Sequence, residues 1–310
     1  MPRRRMPRRR VTRVCAALAV RKNGTVTAST PQLFDRIDSV RAALHEHRLA
    51  GRSIALVPTM GALHDGHLGL VEHAGELADV VIVSIFVNPL QFAPTEDLDR
   101  YPRTLDADLA ALGRRAHMVF APSVTDMYPD GPTQTRVTAG DVGELYEGAY
   151  RPGHFDGVLT VVAKLLNVVQ PQFALFGQKD AQQIFLVRQM VRDLNLPVSI
   201  EAAVTVRDPD GLALSSRNRF LDGAARSAAL ALSAGLREAA DAAAQGVDAA
   251  LAAARTRLSE EAAVRLDYLV AVDPRTFLQV DGAYRGPATV LVAARVGGTR
   301  LIDNIQFDIG

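Results

Sequence analysis

The sequence predicts an α/β protein, a doubly wound parallel sheet followed by a smaller C-terminal α+β domain, on three observations. From about residue 31, short apolar runs alternate with amphipathic stretches, as parallel strands and their crossover helices require. The run DVVIVSIFV (79–87) is apolar at nearly every position, the pattern of a strand buried on both faces. After the loop RDPDGLALSSRN (207–218) the alternation stops, and helix-like and strand-like segments group apart.

In order, SIALVPT (53–59) reads as a buried strand, HLGLVEHAGELA (67–78) as a helix and 79–87 as the second strand, a β-α-β unit. The alternation continues with a helix at 105–115, a strand at 117–122, a helix at 155–169, a strand at 173–177, a helix at 181–195 and a strand at 198–206. The Ala-rich stretch of about 223–263 has helical periodicity and reads as packed helix, not linker. RLDYLVAV (265–272) and ATVLVAARV (288–296) are strand-like. The expected organisation is a basic, disordered extension over 1–30, a Rossmann-like domain over 31–206 and a C-terminal lid domain over 207–310, with a hinge near 207–210. Ligands of such a sheet sit beyond the carboxyl ends of its strands.

Composition bounds the function. Hydrophobic residues make up 48% and charged residues 22% of 310, which are globular values, and no apolar run approaches the roughly 20 residues of a membrane helix. The single cysteine, Cys15, excludes an internal disulfide framework and points to a reducing compartment, the cytoplasm. Nine of the 35 Lys and Arg residues, and no acid, fall in residues 1–22; the remainder holds 26 basic against 34 acidic residues, a net of −8. An acidic body lacks the basic surplus that phosphate-backbone binding needs, so no nucleic acid is expected on it. The MPRRRMPRRR repeat reads either as a solvated basic arm or as codons upstream of the true start.

Four segments carry candidate chemistry. PTMGALHDGH (58–67) leaves a strand through Met60 and Gly61 and sets His64 and His67 three residues apart where a helix begins. Backbone N–H groups at a helix N-terminus bind anions, and the two imidazoles can donate to the same phosphate. Incidental histidines or a zinc pair are the competing readings, although a third ligand is not near in sequence. FGQKDAQQ (176–183) places Gly177, Gln178, Lys179 and Asp180 between a strand and a helix; the ammonium suits a phosphate, Asp180 suits a helix cap as well as a ligand, and Gln183 lies one turn on. DGLALSSRNRF (210–220) offers Ser215, Ser216 and Arg217 as donors to a polyphosphate. VNPLQF (87–92) projects Asn88 and Gln91 from a loop at the crevice mouth, Gln91 being either a substrate contact or a turn residue.

Together with RPGHFDGV (151–158), these segments resemble the pantothenate synthetase family, within the nucleotidyltransferase group that carries an HxGH-type phosphate motif, from about residue 31 to the C-terminus. The resemblance implies an ATP-dependent ligation of pantoate to β-alanine through a pantoyl adenylate, releasing AMP and pyrophosphate. It assigns ATP to the Met60–His67 segment, with His67 as proton donor and His64 beside it, to Gly177–Asp180, to Val206 and Leu214 through backbone, and to Ser215, Ser216 and Arg217. Lys179 would stabilise the transferring phosphoryl group. Gln91 and Gln183 would hold pantoate, Gln91 also lying near β-alanine, and Asn88 counts with them among the substrate-binding residues. Mg²⁺ is expected on the triphosphate, with Asp108 as its protein ligand and Asp97, Asp99 and Asp106 nearby, and a homodimer is implied. The basic extension has no counterpart in the family. The rivals are a nucleotidyltransferase acting on a phosphate-bearing acceptor, and a nucleic-acid or scaffold-binding protein led by its arginine arm.

Overall fold

A computed structural model describes residues 30–93, 98–131 and 133–310. The basic extension expected over 1–30 falls, but for residue 30, outside the described residues, as do Cys15 and Asp97. A six-stranded sheet is built from β1 (Gln32–Phe34), β2 (Ile54–Thr59), β3 (Val80–Ile85), β4 (Met118–Phe120), β5 (Phe173–Gly177) and β6 (Ser199–Ala203). Its order is β1-β4-β3-β2-β5-β6, and every neighbouring pair is parallel.

The helices are α1 (Ile37–Leu49), α2 (Asp65–Leu77), α3 (Leu105–Leu112), the short α4 (Val124–Met127) and α5 (Glu147–Tyr150), α6 (His154–Val169) and α7 (Ala181–Asp193). They cover both faces of the sheet. Ile54 and Leu56 of β2 and Ile82 of β3 pack with α1, α6 and α7, while Ala55 and Val57 of β2 and Val81 and Val83 of β3 pack with α2 and α3. Alternate residues thus enter two different cores, which is why these strands read as continuous apolar runs. The helix after β2 lies on one face and the helix after β5 on the other, so the gap between these two adjacent strands is the switch point at which such sheets bind ligands.

Beyond this sheet, α8 (Gly223–Asp241) and α9 (Val247–Ser259) pack on an antiparallel sheet of β7 (Val264–Val272), β8 (Gly286–Val296) and β9 (Thr299–Ile309), in the order β7-β8-β9. The Ala-rich stretch is two helices, because Gly246 adopts φ 100° between them. A Cβ on Gly235 would lie 3.2 Å from the Ala254 carbonyl oxygen, so small residues are what let α8 and α9 approach.

Several elements depart from the sequence expectations. The pair β1–α1 and the final strand β9 are additional. The expected helix over 105–115 stops at Leu112, where Gly113 takes φ 48°. The expected strand over 198–206 ends at Ala203; Val204 is 84% exposed as the chain leaves the sheet. Among the described residues no helix is long and apolar enough to cross a membrane.

Candidate active site

At the end of β2 the Thr59 hydroxyl donates to the Ser84 carbonyl at 2.7 Å and accepts from Gly61 N–H at 3.2 Å. The chain then turns through two left-handed residues, Gly61 (φ 81°) and Ala62 (φ 52°). Ala62 is a costly choice there and needs support from its surroundings. Asp108 supplies it: its buried carboxylate accepts from Ala62 N–H at 3.0 Å, Leu63 N–H at 2.8 Å and the Thr104 hydroxyl at 3.2 Å.

This turn delivers His64 to the N-cap of α2 and His67 to its first turn, with ring centroids 4.0 Å apart. His67 Nδ1 accepts from His64 N–H at 3.3 Å, so in the neutral ring the proton sits on Nε2. Burial, then the neighbouring His64 and Lys179, push the His67 pKa down to about 3. His64 is lowered by the same burial and by Lys179, and its Nδ1 is buried without a hydrogen-bond partner. Gly66 makes room for this arrangement, since a Cβ there would lie 2.9 Å from the His64 ring.

Across the switch point, β5 ends at Gly177 and a single 3-10 turn (Gln178–Asp180) carries Lys179. Asp180 stands at the N-cap of α7 but makes no side-chain cap bond, so the expected capping role is corrected; its side chain borders the crevice instead. The Ser215–Arg217 segment follows an antiparallel return in which Leu214 N–H donates to the Val206 carbonyl at 3.0 Å, bringing Val206 and Leu214 together. Ser215 Oγ accepts from Arg217 N–H at 3.2 Å, and Ser216 Oγ lies 3.4 Å from the Tyr101 hydroxyl.

All of these segments border one cavity of about 240 Å³: Met60, His64, His67, Gln91, Gly177, Lys179, Asp180, Gln183, Val206, Leu214, Ser215, Ser216 and Arg217 line it. A second cavity, of about 460 Å³, continues from it between the two sheets and shares Lys179, Gln183, Ser215 and Arg217. Gly61 and Gln178 shape the turns behind this lining.

Two expectations are corrected by geometry. Asn88 is 1% exposed and does not project into the crevice mouth. Its amide donates to Gln91 Oε1 at 3.1 Å and the Gly157 carbonyl at 3.0 Å, and its oxygen accepts from the Tyr128 hydroxyl at 2.8 Å and Leu90 N–H at 3.3 Å. Every hydrogen-bonding capacity of Asn88 is spent holding the loop that presents Gln91. Asp108, expected as a magnesium ligand, does not fit that role, because both oxygens serve backbone donors of the His64 turn. No group of three His, Cys, Asp or Glu side chains converges among the described residues.

The RPGHFDGV segment stood out in the sequence without roles for its side chains, and these line both cavities. Arg151 Nη1 lies 2.9 Å from His154 Nε2 and, being always protonated, must donate. His154 therefore carries its neutral-form proton on Nδ1 and donates it to the Gln91 carbonyl at 2.8 Å. The signal available was two ionisable residues at the start of a helix facing the Gln91 loop.

A parallel sheet whose switch point holds two neutral imidazoles at a helix N-terminus, a facing lysine and a Ser-Ser-Arg loop defines a nucleotide-binding α/β enzyme built to handle phosphate. The family model described as "Pantoate-beta-alanine ligase" matches residues 32–306. A pantothenate synthetase from Leifsonia xyli is 64% identical over 256 residues, covering 83% of this chain and 89% of the relative, and one from Acidothermus cellulolyticus is 53% identical over 290 residues, covering 92% and 93%. The crystal structure of pantothenate synthetase from Thermus thermophilus superposes with a TM-score of 0.83 at 46% identity, covering 88% of this chain and 98% of that one. A pantoate-beta-alanine ligase from Francisella tularensis, crystallised with beta-gamma ATP and beta-alanine, gives 0.74 at 33% identity, covering 89% and 97%. The chain belongs to the pantoate-beta-alanine ligase family.

Proposed function

We propose that this chain joins pantoate to β-alanine at the expense of ATP, in two steps at the crevice between β2 and β5. A pantoate carboxylate oxygen attacks the α-phosphorus of ATP, the bond to the bridging oxygen breaks, and pyrophosphate leaves. The β-alanine amine then attacks the acyl carbon of the pantoyl adenylate, a C–N bond forms, the amine loses a proton, and AMP leaves. No covalent bond to the protein is required, so catalysis is alignment plus stabilisation of charge on the transferring group.

The observation that carries this reading is the neutral His67, its proton fixed on Nε2 by the His64 backbone, beside Lys179 at the switch point. A neutral imidazole is a hydrogen-bond donor that does not forfeit its proton to bulk solvent, and it complements negative charge growing on departing pyrophosphate. In this reading His64, His67, Lys179, Ser215, Ser216 and Arg217 hold the phosphates, with the backbone of Val206 and Leu214 against the nucleotide. Gln91, fixed by Asn88 and His154, and Gln183 hold pantoate. Mg²⁺ enters on the triphosphate, and among the described residues no group of three or more metal-ligating side chains awaits it. Residues 31–206 and 207–310 act as two domains, the second closing over the nucleotide, and the chain works as a cytoplasmic homodimer, as the family resemblance implies.

The test is product identity with ATP, Mg²⁺, pantoate and β-alanine, each omitted in turn. AMP, pyrophosphate and pantothenate in equal amounts only from the full mixture are expected; ADP as product, or turnover indifferent to β-alanine, refutes the reading.

A further inference from the structure

Strand β9 carries two adjacent polar residues into the interior, Asp303 and Asn304, each 4% exposed. Burying two such groups is unfavourable unless they find partners, and their side-chain partners lie outside their own sheet. The Asn304 side-chain NH₂ donates to the Gln178 carbonyl at 2.9 Å and to the Lys179 carbonyl at 2.8 Å. One amide thus grips the peptide units on both sides of the Lys179 α-carbon. Rotating the amide would set oxygen against two carbonyl oxygens, so the orientation is fixed, and Oδ1 is left buried without a partner at the edge of the larger cavity.

Asp303 ties the same strand to the other phosphate segment. Its carboxylate accepts from Asn304 N–H at 2.8 Å and from Arg207 at 2.6 and 3.0 Å. Arg207 also donates to the Gly211 carbonyl at 3.3 Å, and its backbone bridges Ala213, two residues before Ser215. The turn bearing Lys179 needs such outside support: it is a single 3-10 turn, and Asp180 does not cap the helix that follows.

We propose that Asn304 is a positioning residue that aims Lys179, and that the Asp303–Asn304 pair sets the Lys179 turn and the Ser215–Arg217 segment in one register from the small sheet. This rests on the reading that Lys179 stabilises the transferring phosphoryl group.

The test uses the full chain with Asn304→Ala, Lys179→Ala and the double variant, scored by AMP-forming kcat, ATP–pyrophosphate exchange, calorimetric pantoate binding and thermal unfolding. Asn304→Ala is expected to lower kcat and exchange by about 10²-fold, the cost of misplacing a catalytic group by an ångström, with pantoate affinity unchanged. The double variant is expected to be no slower than Lys179→Ala, because Asn304 acts through Lys179. Asn304→Leu keeps about the same volume and removes both donors without setting an oxygen against the two carbonyls, so it stands in should the alanine variant not fold, with the same loss expected. Wild-type kcat in a folded Asn304 variant, or losses that multiply in the double variant, overturns the proposal. Wild-type turnover in Lys179→Ala overturns instead the role of Lys179 beneath it.

Discussion

The contact that positions Gln91 can be broken from the far side by one methyl group. An alanine at Gly157 would place its Cβ 2.1 Å from the Leu90 carbonyl oxygen, 2.4 Å from the Leu90 carbonyl carbon and 2.7 Å from the Gln91 backbone nitrogen. Ordinary contact begins near 3.4 Å, so one partner must retreat by roughly 1.3 Å. Helix α6 is anchored by Phe155, Val158, Leu159 and Val162 in the main core, so the loop yields. That retreat stretches the Asn88 bond to the Gly157 carbonyl and the His154 bond to the Gln91 carbonyl, now 3.0 and 2.8 Å. Overpacking of this kind costs about 1–3 kcal/mol of stability, and an ångström at a substrate contact about 10²-fold in rate. Steady-state kinetics of AMP release should therefore show kcat/KM for pantoate down about 10²-fold, with calorimetric ATP affinity unchanged and thermal unfolding lowered by a few degrees. A folded Gly157→Ala protein with wild-type pantoate kinetics would refute the claim that this helix sets Gln91.

Asp108→Asn replaces an acceptor by a donor facing two backbone N–H groups; it should destabilise the protein by about 1–3 kcal/mol and weaken ATP binding, and recovery of activity at high Mg²⁺ would show instead that Asp108 is a metal ligand. Because the free-enzyme His67 pKa is pushed down to about 3, the pH profile of kcat/KM for ATP should show no His67 inflection near 6.5, and one that disappears in His67→Asn would contradict the neutral-imidazole assignment. Burial alone would raise the Glu147 carboxyl, but Arg300, donating to both oxygens at 2.6 Å, and Arg151 hold it below the ordinary carboxylate range. A lowered folded pKa gives stability that is present above the unfolded value and lost as pH falls through the folded one. Glu147→Gln should accordingly cost roughly 3–5 kcal/mol at neutral pH in chemical denaturation, a gap that narrows below about pH 4.5, and a pH-independent gap would rule the ion pair out as its source.

How much of this was legible in the sequence depends on how local each determinant is. β2, β3 and β5 showed as apolar runs because both of their faces are covered, and the HxGH and Lys179 turns showed because glycine and chemistry-bearing residues coincide at strand ends. Strand β9 did not, since the inward Asp303 and Asn304 break the period-2 apolar pattern, and their partners Arg207, Gln178 and Lys179 lie about 100 residues or more away in sequence. The roles of Asn88 and Asp108 failed for the same reason. A polar residue beside a motif looks like a ligand contact until its partners are known, and here those partners include backbone groups of segments distant in sequence.

These corrections share a physical logic. The turns that present side chains to the crevice are held by polar residues one layer back: Asp108 behind His64, Asn88 and His154 behind Gln91, and Asn304 behind Lys179. A reaction without a covalent enzyme intermediate gains from placement and preorganised charge, so the accuracy of that supporting layer bears directly on rate. Three of the four supports come from the large sheet and its helices, and the fourth from the small sheet. Any movement of the small sheet relative to the large one must therefore carry the Lys179 turn with it or break the Asn304 bonds. On the roles proposed above, that couples the position of Lys179 to the Ser215–Arg217 segment proposed to close over the nucleotide.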